Sequence, residues 1–229
     1  MAKQHLARLT IPNTWPIKRR GTVFITKQDP GPHSFGLSMP LGILLKEVLG
    51  FAKNTKEAKK ILGSNEVKID CKQRKNFRFP VGIFDTIEFP HLSECFRVAL
   101  DKKGKITLVK IKKEEVGIKP AKIIGKSIVN GKMQLNLYDG KNIIVNEGAY
   151  KVGDTLVVSL PDQKITSHLK LGKKYTIFLI GGKHIGETGI VEDIDKNKIV
   201  YRDSQGNLVE TLKKYAFVIG DSKPSITIG

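Results

Sequence analysis

Hydrophobic spacing divides the chain into stretches of different period. Leu41, Leu44, Leu45 and Val48 recur at i, i+3, i+4 and i+7, which predicts one face of a helix. Pro40 suits its first turn and Gly50 its stop. A second short helix is expected to open at Thr55 as N-cap and to end at Gly63, with Ala58, Ile61 and Leu62 as its buried stripe. Lys56, Lys59 and Lys60 lie three and four apart on the opposite face. Like charges so spaced weaken an isolated helix, and a phosphate backbone would reverse that sign.

Period two takes over at residues 66–89. Val67-Lys68-Ile69 alternates, Asp70-Cys71-Lys72 turns, Phe77-Arg78-Phe79 follows, Pro80 interrupts, and 85–89 alternates again. Two helices on a small sheet make one α+β module with a basic edge at Lys72, Arg74, Lys75 and Arg78. Residues 96–165 read as all-β. Asp139-Gly140 separates strand patterns at 134–138 and 142–145, Asn130-Gly131 marks another turn, and Pro161-Asp162 ends a strand over 155–160. Short strands without a long helix predict a small barrel or a curled sheet. Residues 171–229 repeat that texture, with strands at 175–180, 189–194, 199–201 and 208–211 and a glycine-rich loop at 181–186, as in an SH3-like barrel. The first 40 residues hold five of the ten prolines, and only 22–25 reads as a strand there. This segment is expected to be either a disordered tail or a basic arm that orders on a polyanion.

The fold class expected is therefore α+β and multi-domain. The boundaries are an arm over 1–40, an α+β module over 41–95, a β-rich middle over 96–170 and a barrel over 171–229.

Charge sharpens the picture. The 229 residues carry 40 Lys and Arg against 22 Asp and Glu, a formal net charge of +18. Residues 1–80 hold 16 of the cations and 5 of the anions, a net +11. So large an excess repels itself unless something anionic neutralises it. A membrane surface would call for an amphipathic basic helix. The cations here are spread over loops and strands instead, so nucleic acid leads over a plainly solvated surface. No run of about 18 apolar residues predicts a membrane-spanning helix. The N-terminal residues lack the apolar core of a secretory signal. Two cysteines, Cys71 and Cys95, make no disulfide framework and suit a reducing cytoplasm.

Catalytic chemistry finds no residues. Gly181 and Gly186 have phosphate-loop spacing, but Glu187-Thr188 stands where Lys is needed. Asp193, Asp195 and Asn197 begin like a calcium loop, but Lys198 and Ser204 occupy its glycine and final glutamate positions. The five histidines are dispersed. Cys71 sits among Lys72, Arg74 and Lys75, which could lower its pKa, but no histidine neighbours it in sequence. No catalytic residue, metal or cofactor is expected. Aromatic residues are only 7 % of the chain, and Lys outnumbers Arg 33 to 7. Lysine meets phosphate as a point charge, whereas arginine is favoured for reading bases, so backbone and shape recognition of folded RNA is expected. Trp15, beside Lys18-Arg19-Arg20, is the main exception, as either a stacking platform or a packing anchor.

Residues 41–89 resemble the S4-type (alpha-L) RNA-binding domain. The match runs through the leucine helix, the segment from Asn54 to Leu62, Val67-Lys68-Ile69-Asp70 and Asp85-Thr86-Ile87. Asp70-Cys71 replaces a frequent Asn-Gly, and Phe84 replaces a usual Gly. The resemblance implies RNA contacts at Lys53, Thr55, Lys56, Lys59, Lys60, Lys72 and Arg74. Residues 181–194 look like a KOW motif, from which Lys183 and His184 project. The order of motifs also includes His5-Leu6, Arg8-Leu9, Trp15-Pro16, Gly31-Pro32-His33, Gly153-Asp154-Thr155 and Leu160-Pro161. It is similar over nearly the whole chain to the archaeal and eukaryotic small-subunit ribosomal protein family of the "four-e" type.

That resemblance implies a structural, non-catalytic component of the cytoplasmic small ribosomal subunit. Its partners would be ribosomal RNA and neighbouring ribosomal proteins, with no membrane and no homo-oligomer. The remaining candidate contacts are Lys3, His5, Arg8, Trp15, Lys18, Arg19, Arg20, Lys75 and Arg78. Two rivals stand beside it. One is an RNA-modifying enzyme tethered by an S4-type domain; the other is a transcription-elongation factor of the KOW type.

Overall fold

The computed structural model of the chain describes residues 5–64, 67–146, 148–221 and 224–228. Lys3 lies outside the described residues. The structure is mostly β with a few short helices, in two compact units. The first unit runs to Ala99 and takes in Lys105–Val116; the second comprises Leu100–Gly104 and Gly117–Gly229.

In the first unit, helix α1 covers residues 41–48 and helix α2 covers Thr55–Gly63. The apolar stripe of α1 is interior, with Leu41, Leu44 and Leu45 fully buried. Its last turn is widened, since the Leu49 N–H reaches back five residues to the Leu44 carbonyl at 2.9 Å. Gly42 is required by packing, because a Cβ there would stand 2.0 Å from the Phe77 ring. Asn54, one residue before the expected cap, is the N-cap of α2. Its Oδ1 accepts the Glu57 N–H at 2.9 Å, while the Glu57 carboxylate accepts the Lys53 N–H at 2.8 Å. This is a variant of the capping box in which the return bond goes to the residue before the cap, and it needs Glu three residues after the cap; Thr55 has Ala58 there.

Both helices belong with a five-stranded antiparallel sheet in the order Lys72–Gln73, Lys68–Ile69, Thr86–Phe89, Glu94–Leu100, Ile106–Lys110. The boundary expected at 95/96 falls inside this sheet. Strand Glu94–Leu100 pairs with Thr86–Phe89, and such pairing decides where a unit ends more than composition does. The turn at 70–71 is a two-residue hairpin with both residues left-handed, Asp70 at φ 51° and Cys71 at φ 59°. Phe84 is left-handed as well, at φ 66°. A glycine-type backbone is thus adopted at these positions without glycine. Asp70 is held there by its N–H to the Thr86 carbonyl at 2.9 Å, and its Oδ1 accepts the Thr86 N–H at 3.2 Å.

The arm is packed rather than loose. His5–Ala7 pairs antiparallel with Phe24–Thr26, which places the strand expected at 22–25 two residues later. Ile11, Trp15, Gln28 and His33 are buried. The Trp15 indole N–H donates to the Ser38 carbonyl at 2.7 Å, and His33 Nε2 lies 2.9 Å from the Asp85 carboxylate. Prolines prevent regular structure here without preventing tertiary packing.

The second unit holds two five-stranded antiparallel sheets. One has the order Asn142–Val145, Lys132–Leu137, Ile118–Val129, Thr155–Ser159, Lys164–Leu169, around a core of Ala121, Ile123, Leu135, Leu137, Leu156 and Val158. The other has the order Leu208–Leu212, Lys198–Asp203, Thr188–Ile194, Thr176–Leu179, Ala216–Gly220, around Ile177, Leu179, Val191, Ile199 and Tyr201. The two glycine turns differ. At Asn130-Gly131 both residues are left-handed, a two-residue loop. Around Asp139-Gly140 only Gly140 is, and the Leu137 N–H bonds the Lys141 carbonyl across a three-residue loop. In the 181–186 loop, Gly186 has φ 81°, and a Cβ there would stand 2.3 Å from the Asp101 carbonyl oxygen.

Candidate nucleic-acid interface

A cleft of about 800 Å³ opens on the first unit. One wall is the strand pair of the arm, with His5, Phe24, Ile25, Thr26 and Lys27. The other joins the first turns of α2, at Thr55 and Lys59, to the segment Lys75, Asn76, Phe77 and Arg78. His5, Thr55, Lys59, Lys75 and Arg78, all singled out from sequence, therefore line one cavity despite being up to 73 positions apart. Four of the described lining side chains are Lys or Arg and none is Asp or Glu, while the Asp29 carboxylate stands behind the rim, 4.0 Å from Arg78. The rim segment is fixed in place: Asn76 donates to the Asp29 carboxylate at 3.0 Å, and the Asp29 N–H bonds the Arg78 carbonyl at 3.0 Å.

The lysine face of α2 is as expected from its spacing. Lys56, Lys59 and Lys60 are exposed, as are Lys53 and Thr55, while Ala58 and Leu62 are buried beneath them. Among the described residues none of the three lysines forms an ion pair. Lys72, Lys75 and Arg78 are exposed, and so are Lys18, Arg19 and Arg20 in the arm.

Other candidates have internal work. Arg8 donates to the Lys18 carbonyl at 2.7 Å and faces Glu47 at 3.6 Å. Arg19 donates to the Leu9 and Ile11 carbonyls and to Asn13. These two arginines tie the arm together, because a guanidinium can bridge the carbonyls that prolines leave without partners. Arg74 is half-buried, with its guanidinium 4.5 Å from the centre of the Phe79 ring. Trp15 is 2 % exposed and has no open ring face to stack on a base, so of its two readings the packing anchor is the one realised. Lys183 is exposed and His184 half-buried, its Nδ1 3.1 Å from Glu187, which also accepts the Tyr201 hydroxyl at 3.3 Å. Both belong to the second unit and line no part of the cleft.

Sequence reasoning missed Phe24, Lys27 and Asn76. Strand alternation over Val23, Phe24 and Ile25 was visible, but which face meets solvent depends on pairing with His5–Ala7. The cysteine expectation reverses. Burial, with Glu88 and Asp70 beside it, pushes the Cys71 thiol up against the opposing pull of Lys68. Its basic sequence neighbours do not activate it. Among the described residues, no three His, Cys, Asp or Glu side chains converge as metal ligands would.

Known proteins resemble this chain along its length. The model of ribosomal family S4e matches residues 92–165, and that of the RS4NT (NUC023) domain matches residues 2–35. The small ribosomal subunit protein eS4 of Methanosphaera stadtmanae is 39 % identical over 99 % of this chain and 96 % of its own. That of Methanococcus aeolicus is 37 % identical over 99 % and 98 %. The crystal structure of the 30S ribosomal protein S4e from Thermoplasma acidophilum has 30 % identity and a TM-score of 0.68, covering 81 % of this chain and 95 % of that one. These relatives are named as ribosomal proteins, not as RNA-modifying enzymes or elongation factors. Full-length similarity at this identity, joined to the two family matches, makes the chain a member of the ribosomal S4e family.

Proposed function

We propose that the chain is a structural, non-catalytic component of the small ribosomal subunit that binds ribosomal RNA, mainly through phosphate and shape contacts. The observation that carries this reading is the cleft where arm, α2 and the 75–78 segment converge with four lining cations, of which Arg78 faces the Asp29 carboxylate at 4.0 Å. The contacts we assign are the exposed cations: Lys18, Arg20, Lys53, Lys56, Lys59, Lys60, Lys72, Lys75, Arg78 and Lys183, with His5, Thr55 and His184 beside them. The half-buried Arg8 and Arg74 and the exposed Arg19 position these groups through their contacts inside the first unit. Residues 41–89, with the strands at 94–110, act as the S4-type module, and the last sheet acts as an SH3-like barrel bearing the KOW loop. Its strand order and glycine-dependent 181–186 loop support that assignment. Neighbouring ribosomal proteins complete the partner set, and the site of action is the cytoplasmic ribosome.

The test is electrostatic. Neutralising three phosphates contributes about 2 to 3 to the slope of log affinity against log salt. Replacing Lys56, Lys59 and Lys60 with Ala should flatten that slope for ribosomal RNA by this amount. An unchanged slope overturns the assigned face. In sucrose gradients the protein should travel with small subunits at low salt; free protein even in dilute buffer overturns the reading as a whole.

A further inference from the structure

The cleft holds an aromatic pair that phosphate binding does not require. In the strand pair of the arm, Ala7 stands opposite Phe24 and His5 opposite Thr26. Residues opposite each other share a face, and so do residues two apart, so His5 and Phe24 are diagonal neighbours on one face. Leu6 and Ile25 alternate to the other face and are half-buried. The His5 and Phe24 rings are 5.3 Å apart, tilted by 46°, and both line the cleft. Phe24 is 59 % exposed.

A single exposed phenylalanine is ordinary on a protein surface. This one forms the wall of a cavity whose other lining includes Lys59, Lys75 and Arg78. An apolar ring facing cations across a gap matches a ligand with a flat π-face at one end and negative charge at the other. The volume, about 800 Å³, is in the range of sites that enclose small ligands, about 300–1,000 Å³. A continuous duplex would present only phosphates and sugar edges to this cleft, because its bases are stacked on each other.

We propose that the cleft seats one unpaired nucleotide of RNA, its base stacked on Phe24 beside His5 and its phosphates turned to Lys59, Lys75 and Arg78. This rests on the reading of the chain as an RNA-binding protein, and it adds a contact with a nucleobase. It also transfers the stacking role considered for Trp15 to a residue in the same arm.

The test uses the full chain and two oligomers of about ten residues, an oligouridylate and the same ribose-phosphate chain without bases, which have equal charge. The wild type should bind the oligouridylate about tenfold more tightly, which is the range of one stacked base. Phe24→Leu, a substitution at an exposed position, should remove that preference and leave the salt slope unchanged; Phe24→Tyr should keep it. Equal affinity of the wild type for both oligomers, with steep salt dependence, means that phosphates alone enter the cleft and overturns the proposal. Tighter binding of an oligoglutamate of matched charge assigns the cleft to an acidic peptide and also overturns it. Failure of both oligomers to bind, while the protein still travels with small subunits, overturns the base seat but leaves the ribosomal reading standing. Absence from small subunits removes both.

Discussion

Lysine serves opposite ends in the two units. On α2 of the first unit, Lys56, Lys59 and Lys60 stand in solvent without ion pairs among the described residues. In the second unit, Lys119 and Lys122 lie inside, at 3 % and 5 % exposure. Lys119 faces the buried carboxylate of Asp139 at 3.6 Å, with Lys141 at 3.1 Å from the same group. Lys122 donates to three carbonyls, those of Lys213, Lys214 and Ala216, at 3.2, 3.0 and 2.6 Å. The formal charge is the same in every case. Exposed and unpaired, it is available to a polyanion; buried and paired, it holds the sheets of its own unit together. A count of cations therefore overstates the RNA-facing surface, and burial decides which lysines belong to it.

The sharpest way to break this contrast is to remove the buried carboxylate. Asp139→Ala strips Lys119 of that partner in the interior and should cost about 3–5 kcal/mol in denaturant unfolding. Burial alone would raise the Asp139 pKa, but Lys119 and Lys141 overcome it and hold the carboxyl below its ordinary value. A depressed carboxylate contributes stability that is present above its unfolded value, near 3.8, and is lost as pH falls through the folded one. The penalty of Asp139→Ala should therefore be constant above about pH 5 and shrink in stronger acid. A loss below about 1 kcal/mol at pH 7 would mean that this buried charge is not structural.

Lys122 supplies the next effect, with the opposite pH sense. Burial, with Lys213 nearby, pulls it down from 10.5 to about 8. Between those values the unfolded chain binds more protons than the folded one, so stability from this group rises with pH across about 8 to 10.5. The gain of wild type over Lys122→Met should grow by about 2–3 kcal/mol across that window and stay flat below it. The three carbonyls favour the ammonium and oppose part of the shift, so this is an upper figure. Urea unfolding of both proteins at pH 7, 8.5 and 10 reads the difference.

On the exposed side effects should be local and smaller. Asn54→Ala removes the α2 cap and should cost about 1 kcal/mol. RNA affinity should weaken with the helix, but the salt slope should hold, because no cation has gone. A changed slope would show that cap and lysine face are not separable.

What the sequence made legible follows the range of the forces involved. The α1 stripe, the α2 lysine face and the Asn130-Gly131 turn rest on neighbours within a few residues, and they stand where the pattern puts them. The cap itself falls at Asn54, one residue before the expected Thr55, because Asn54 and not Thr55 has a glutamate three positions on. Other features needed partners far along the chain. Strands 94–110 join the first unit through pairing with Thr86–Phe89. Trp15 is buried through Ser38, and Arg8 and Arg19 are engaged by carbonyls that no pattern marks. Nothing in the local pattern marks Lys119 and Lys122 as buried, because the groups that receive them lie up to 94 positions away. In the candidate site, the basic wall was legible from spacing, and the aromatic wall was not, because it depends on the register of two strands.

The smallest effect tests how the exposed edge keeps its shape. The 70–71 turn precedes Lys72 and Arg74, and it places Cys71 at φ 59°, where a Cβ is strained. Glycine adopts that conformation without cost, so Cys71→Gly should relieve the strain. Against this, the half-buried side chain is lost along with a long contact from Sγ to the Val116 carbonyl at 4.0 Å. Glycine also gives the unfolded chain more freedom. The net result should be a stabilisation of about 0.5 kcal/mol, read as a rise in denaturant midpoint at constant m value. Because register and the Asp70–Thr86 bonds fix the turn, the salt slope for RNA should be untouched. A destabilisation above about 1 kcal/mol would place the thiol among the groups that hold the first unit together, and the contrast between a working interior and a free basic edge would lose its sharpest line.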